Sequence, residues 1–157
     1  MFYRMKLLTS SALTLAIATA AYGGGYWLEF GNPSASKDPA AANAIALVRA
    51  VGCGEPSHSK VTATAEGLVS GDRKSLPLRV VELSSPGIYA IKGDLPAGGS
   101  WVLSVTGTYR EAVAGAIASV TSKGIERTTA KSTRDKPARA DIDALLLLPA
   151  TKQTAAR

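Results

Sequence analysis

The chain is poor in the residues that make most exported or catalytic small proteins recognisable. Among its 157 residues there is one cysteine, Cys53, and one histidine, His58, while aromatics make up 6%. A single cysteine excludes an internal disulfide, so the fold has to stand on its apolar core rather than on covalent staples. A single histidine leaves one imidazole for every role that needs one, and both methionines, Met1 and Met5, fall in the first residues. No fixed-period repeat is visible. No cluster of lysine and arginine interleaved with aromatics is present, so a nucleic-acid surface is not expected. What is there is ordinary globular material: 46% hydrophobic and 19% charged residues, with a formal net charge of +6. Part of that positive excess lies before residue 7 and part after residue 122, so the middle of the chain is closer to neutral.

The N-terminus carries Arg4 and Lys6, and then no charge until Glu29. Residues 7–21 (LLTSSALTLAIATAA) end in small side chains, with Ala18-Thr19-Ala20 as an A-x-A site. A basic n-region, a short apolar h-region and a small-residue cleavage site predict a secretory signal peptide over residues 1–20. The mature protein is then secreted or periplasmic. The alternative is an uncleaved N-terminal anchor, because the uncharged run to Leu28 approaches the length that crosses a bilayer. Contact with a membrane is expected only in that case.

Residues 21–122 break into short apolar runs separated by turn chemistry. Extended segments are predicted at 26–30 (YWLEF), 44–51 (AIALVRAV), 61–66 (VTATAE), 76–83, 88–92 (IYAIK), 101–106 (WVLSVT) and 112–120 (AVAGAIASV). In 61–66 and 101–106 apolar and polar residues alternate with period 2, the pattern of a half-buried strand. Residues 44–51 and 112–120 are also compatible with helix; the glycines beside the first and Gly115 within the second favour strand. Residues 70–74 read as a turn, and Pro77 points to an edge position because it has no N–H for a ladder. Seven short strands at this spacing predict an all-β fold, an immunoglobulin-like antiparallel β-sandwich without the disulfide, anchored by Trp101. Residues 123–157 form a basic C-terminal extension, expected to be partly disordered. Within it Asp141 is placed to cap a short helical turn whose leucines, 145–148, dock on the sandwich.

Chemistry-bearing side chains are few. Cys53 and His58, with Glu55 between them in GCGEPSHS, offer a thiolate, an imidazole and a carboxylate, a usable donor set for copper or zinc. A structural site needs more ligands than this loop supplies. The same pair as nucleophile and base lacks an orienting Asn or Asp, and no G-x-S-x-G elbow exists for a serine hydrolase. Asp141 and Asp143 fall in the C-terminal extension, where solvation is the plainer role for both. No catalytic residue and no resident cofactor are therefore expected.

The segments VGCGEP, VTATAEGLVSGDRKSLPLRVVEL and SPGIYAIKGDLPAGGSWVLSVTG, within residues 44–109, resemble small exported bacterial immunoglobulin-like sandwich proteins of uncharacterised function. The Pro-Gly-x-Tyr step and LPAGGSWVLSV are also distantly similar to sandwich domains of copper delivery and cytochrome-oxidase assembly. The first resemblance implies a non-enzymatic binding or accessory module of the bacterial envelope, meeting an unknown envelope protein or ligand. The second implies, as the alternative, a copper-handling accessory protein using Cys53 and His58. The methionine and additional histidine ligands of a copper carrier are absent from residues 21–157.

Overall fold

The computed structural model describes residues 25–147. The candidate signal peptide at 1–20 and the far end of the C-terminal extension lie outside the described residues. Among the described residues nine strands form: β1 Trp27–Gly31, β2 Ala46–Val51, β3 Lys60–Val69, β4 Asp72–Glu82, β5 Ile88–Lys92, β6 Gly99–Tyr109, β7 Ala112–Thr121, β8 Gly124–Ile125 and β9 Lys131–Thr133. One helix follows, α1 at Arg139–Leu146. The two ambiguous segments are both strands, β2 and β7.

Every pairing is antiparallel, in the order β1-β2-β5-β4-β3-β6-β7-β8, with β9 also on β7. The all-β expectation holds at this level. The expected seven-strand sandwich has to be corrected to nine strands on one continuous, curled ladder. The reason lies in β4. Its first part, from Asp72 to Leu78, pairs with β3, and Arg79 to Glu82 pair with β5, so one strand carries the sheet around the bend. Pro77 sits in the part of β4 that has a neighbour on one side only, where a missing N–H costs no ladder bond.

The turn expected over 70–74 is shorter than its composition implied. Val69 pairs directly with Asp72, leaving only Ser70 and Gly71 at φ +53° and +88°. Two successive positive φ values are what a type I′ hairpin turn needs to match the twist of its strands. Asp72, Arg73 and Lys74 therefore belong to β4.

The main core fills the inside of the curl. Leu28, Val48 and Ile91 from β1, β2 and β5 meet Leu103 and Val105 of β6 and Ala114 and Ala116 of β7, all fully buried. The outer faces are covered separately. The connection between β1 and β2 lays Ala41 over Leu47, Leu83 and Ala90. Asp38 holds it there: one oxygen accepts from Ala40 N–H (2.8 Å), the other from the Ser84 N–H (2.7 Å) and hydroxyl (2.6 Å). These bonds, led by the Ser84 hydroxyl, keep the Asp38 carboxyl below its usual range. On the other side α1 sets Ile142, Leu145 and Leu146 against Val102 and Ile117. Its cap is Ala138, which makes no side-chain bond, and Asp141 stands instead in the first turn, where a carboxylate faces the positive end of the helix. The described part of the C-terminal extension thus contains β8, a 3-10 turn at Arg127–Thr129, β9 and α1. Ser132 of β9 donates its hydroxyl to the Leu28 carbonyl of β1 (2.7 Å) and ties the last strand to the first.

Trp101 is buried, as expected of an anchor, but lies outside the main core cluster. Its ring rests on Gly67, its register partner on β3, where an added Cβ would stand 2.4 Å from two ring carbons. Its indole N–H donates to the Pro96 carbonyl at 3.0 Å. Replacing Trp101 by alanine should cost about 3–5 kcal/mol in urea unfolding. Gly67→Val, which drives the ring off its seat, should cost about 1–3 kcal/mol. Most of the Gly67→Val loss should vanish in the Trp101→Ala background; additive losses would mean the two residues do not act through this contact.

Candidate functional site

Cys53, Glu55 and His58 lie on the connection between β2 and β3. Gly54, at φ +90°, turns this loop, and its backbone passes under Tyr109, whose hydroxyl accepts the Glu55 N–H at 2.9 Å. A Cβ on residue 54 would stand 2.8 Å from that hydroxyl. Residues Pro56–His58 then make a single 3-10 turn. Cys53 is exposed, and the His58 ring faces the Glu55 carboxylate at 3.6 Å with both side chains 74% exposed. Among the described residues no three His, Cys, Asp or Glu side chains converge as metal donors. Asp143 is engaged elsewhere, paired with Arg73, which also reaches Glu66 at 3.7 Å and so latches α1 to the sheet.

Tyrosines close this end of the curl beneath the loop. Tyr89 directs its hydroxyl at the carbonyls of Ser59 (2.8 Å) and Ser57 (3.1 Å). The Tyr26 hydroxyl is buried against Gly107 and makes no hydrogen bond among the described residues; the nearby Ser59 hydroxyl donates to the Pro56 carbonyl at 2.5 Å. Burial raises both phenols above their ordinary 10.0, and the Glu82 charge adds to the effect on Tyr89.

The opposite end is open. The segment after β1, the approach to β2, the β5–β6 connection and the β7–β8 hairpin surround a groove of about 520 Å³. Its floor includes Ile45, Val120 and Ile125, which are half-buried against the main core. Polar groups on its rim include Asn32, Asn43, Asp94, Lys123 and Arg127. A second groove, about 480 Å³, runs over the outer face of β1 and β2 past Leu47 and Ile88, with Phe30, which packs against the main core, at its edge. The two share Gly31, Asn32 and Arg127.

What sets Arg127 apart is its place where the two grooves meet. In the outer groove, Glu29 is already bound by Arg49 at 2.5 Å and by the Trp27 indole N–H at 2.9 Å, bonds that hold its carboxyl below the usual range. Asp38 is bound by Ser84 and Ala40. Arg127 pairs with no carboxylate among the described residues. Its backbone is nonetheless fixed, in a 3-10 turn pinned to β7 where Thr129 Oγ1 accepts the Ser119 N–H at 2.9 Å. Glu126 caps the same turn through the Thr128 N–H at 3.3 Å.

Sequence reasoning singled out Cys53 and His58 and passed over Asn32, Asn43, Lys123 and Arg127. These four carry no motif, and the last two lie in what reads as a basic tail. The one local signal was Asn43, whose φ of +58° suits asparagine better than most residues. Comparison with family models, curated proteins and solved structures finds no significant match to this chain.

Two outcomes follow for the closed end. Titration with Cu(I) or Zn(II) against a weak chelator should show no stoichiometric uptake that Cys53→Ser or His58→Ala abolishes; uptake lost in both variants would establish a metal site. The tyrosines give a pH dependence. Phenol pKa values raised by burial in the folded state leave stability unaffected below about pH 10 and lower it as pH rises from there through the folded values. Urea unfolding should therefore weaken above about pH 10, and Tyr26→Phe should flatten that decline. At neutral pH, Tyr26→Phe should be neutral or stabilising, because it removes an unsatisfied hydroxyl, whereas Tyr89→Phe should cost about 1 kcal/mol.

Proposed function

We propose that this chain is an exported, non-enzymatic binding or accessory module of a bacterial envelope, and that it meets its partner at the open end of the curled sheet. The observation that carries this reading is the convergence of four connections on one groove, with Asn32, Asn43, Asp94, Lys123 and Arg127 presented on its rim. Loops held on a rigid sheet are where binding residues concentrate, and the mouths of curled sheets are frequent ligand sites. The export part of the reading rests on the basic, apolar and small-residue succession over residues 1–20. Kinship with small exported immunoglobulin-like sandwich proteins belongs to the same proposal, and the wholly antiparallel pairing supports its β component. None of the described helices is long and apolar enough to cross a membrane.

The test uses the full-length chain expressed in a bacterial host. Intact mass of the recovered protein should lack residues 1–20. A photo-crosslinking residue at Asn43 or Lys123 should capture an envelope component, and the same residue at Glu111, beside Tyr109 at the closed end, should not. Capture only from Glu111, or a recovered protein retained in the cytoplasm at full mass, would overturn the proposal.

A further inference from the structure

We infer that the two grooves joined at Arg127 form one binding site for a single-chain organic anion, with the chain lying in the outer groove and the carboxylate head held at Arg127. The inference rests on the binding-module reading and names its ligand class. The geometry is that of an amphiphile. Beside the paired Glu29 and Arg49, the outer groove offers apolar contact from Ala35, Ile88 and the exposed edges of Phe30 and Leu47, and the mouth groove offers polar contact. Arg127 stands where they meet. Each volume, about 480 and 520 Å³, lies in the roughly 300–1,000 Å³ range of small-molecule pockets.

Charge selects the head group. The carboxylates of the outer groove are satisfied from within the protein, Glu29 by Arg49 and Trp27, and Asp38 by Ser84 and Ala40. Among the described residues the guanidinium of Arg127 is the cation of the outer groove without a carboxylate, and its planar fork matches a carboxylate in two parallel bonds. Lys123 adds a second positive charge in the mouth, while Asp94 opposes further negative charge. One anionic group is therefore favoured over a polyanion. The floor is firm: Leu47 is 8% exposed and packs with Ala41, Leu83 and Ala90, so the ligand lies along the surface rather than entering the filled core.

The experiment is titration of the ¹⁵N-labelled protein with octanoate, decanoate and neutral decanamide, each below its aggregation concentration, followed by amide chemical shifts. Saturable shifts are expected at Gly31, Asn32, Leu47, Ile88 and Arg127. Affinity should rise about two- to fourfold per added methylene. Decanamide, and decanoate on Arg127→Gln, should each bind about tenfold more weakly, with Arg127→Lys recovering part of the loss. Shifts centred elsewhere, affinity independent of chain length, equal binding of amide and acid, or no shift at any soluble concentration would overturn the inference. If the amphiphiles fail while the Asn43 and Lys123 crosslinks persist, the ligand class is wrong and the binding-module reading stands. If decanoate binds as expected and no envelope component is captured, the site is a ligand pocket and the protein-partner part of that reading fails.

Discussion

The curl of the sheet depends on how small its inward-facing residues are on one side. Around the larger Leu103 and Val105 of β6, Ala63 and Ala65 of β3, Gly107 of β6, and Ala114 and Ala116 of β7 turn little or no side chain into the interior. Facing them are the larger Leu28, Val48, Tyr89 and Ile91 of β1, β2 and β5. Two sheets with large residues on both inner faces hold about 10 Å apart. Small residues on one face let the other approach more closely, and large ones opposite keep the interior filled. The contact at Gly107 shows how little room remains: an added Cβ would stand 2.3 Å from the Tyr26 hydroxyl and 2.9 Å from Leu28 Cδ2. That closeness brings β1 beside β7 and β9, where the Ser132 hydroxyl reaches the Leu28 carbonyl.

A sheet curled this tightly still has an outer surface, and part of that surface is apolar. Val102 and Ile117 point outward on one half, Leu47 and Leu83 on the other. Both patches are largely covered, one by the β1–β2 connection and the other by α1. The route to α1 crosses β7 at Gly115, where a Cβ would meet the Asp135 carbonyl at 2.5 Å and Pro137 at 2.6 Å. Gly115 thus serves a long-range crossing, which explains a glycine in the middle of a ten-residue strand that otherwise pays for it in backbone entropy. The C-terminal segment completes the packing of the sheet.

How much of this was legible in the sequence depends on the range of the interaction responsible. Alternation in 61–66 and 101–106 reports directly which side chains face the core, and β3 and β6 stand where it predicts them. The runs at 44–51 and 112–120 lacked clean alternation because both of their faces are covered, so periodicity could not separate strand from helix there. The sharing of β4 between two neighbours left no local trace beyond Pro77. The strands β8 and β9, of two and three residues, are too short for any pattern and form only because β7 is already in place. The rim of the open groove is the extreme case. Asn32, Asn43, Asp94, Lys123 and Arg127 are scattered over nearly a hundred positions and meet only once the sheet has curled.

The two ends of the curl differ in a way that bears on function. At one end Tyr89 and Tyr109 direct their hydroxyls into the backbone of the loop that carries Cys53 and His58, and Tyr26 fills the space beneath. Polar capacity there is spent on holding the loop, and both sequence-predicted site residues are left on its outside, Cys53 beside a shallow depression that Tyr109, Arg110 and Glu111 also line. At the other end the capacity is not spent in this way. Glu126, Thr128 and Thr129 fix the backbone of the turn that bears Arg127, and its guanidinium remains uncommitted among the described residues. A fixed backbone carrying a free charge lowers the ordering cost of binding, whereas a free charge on a loose loop would not. This combination, rather than the chemical rarity of a cysteine or a histidine, is what favours the open end as the proposed binding surface.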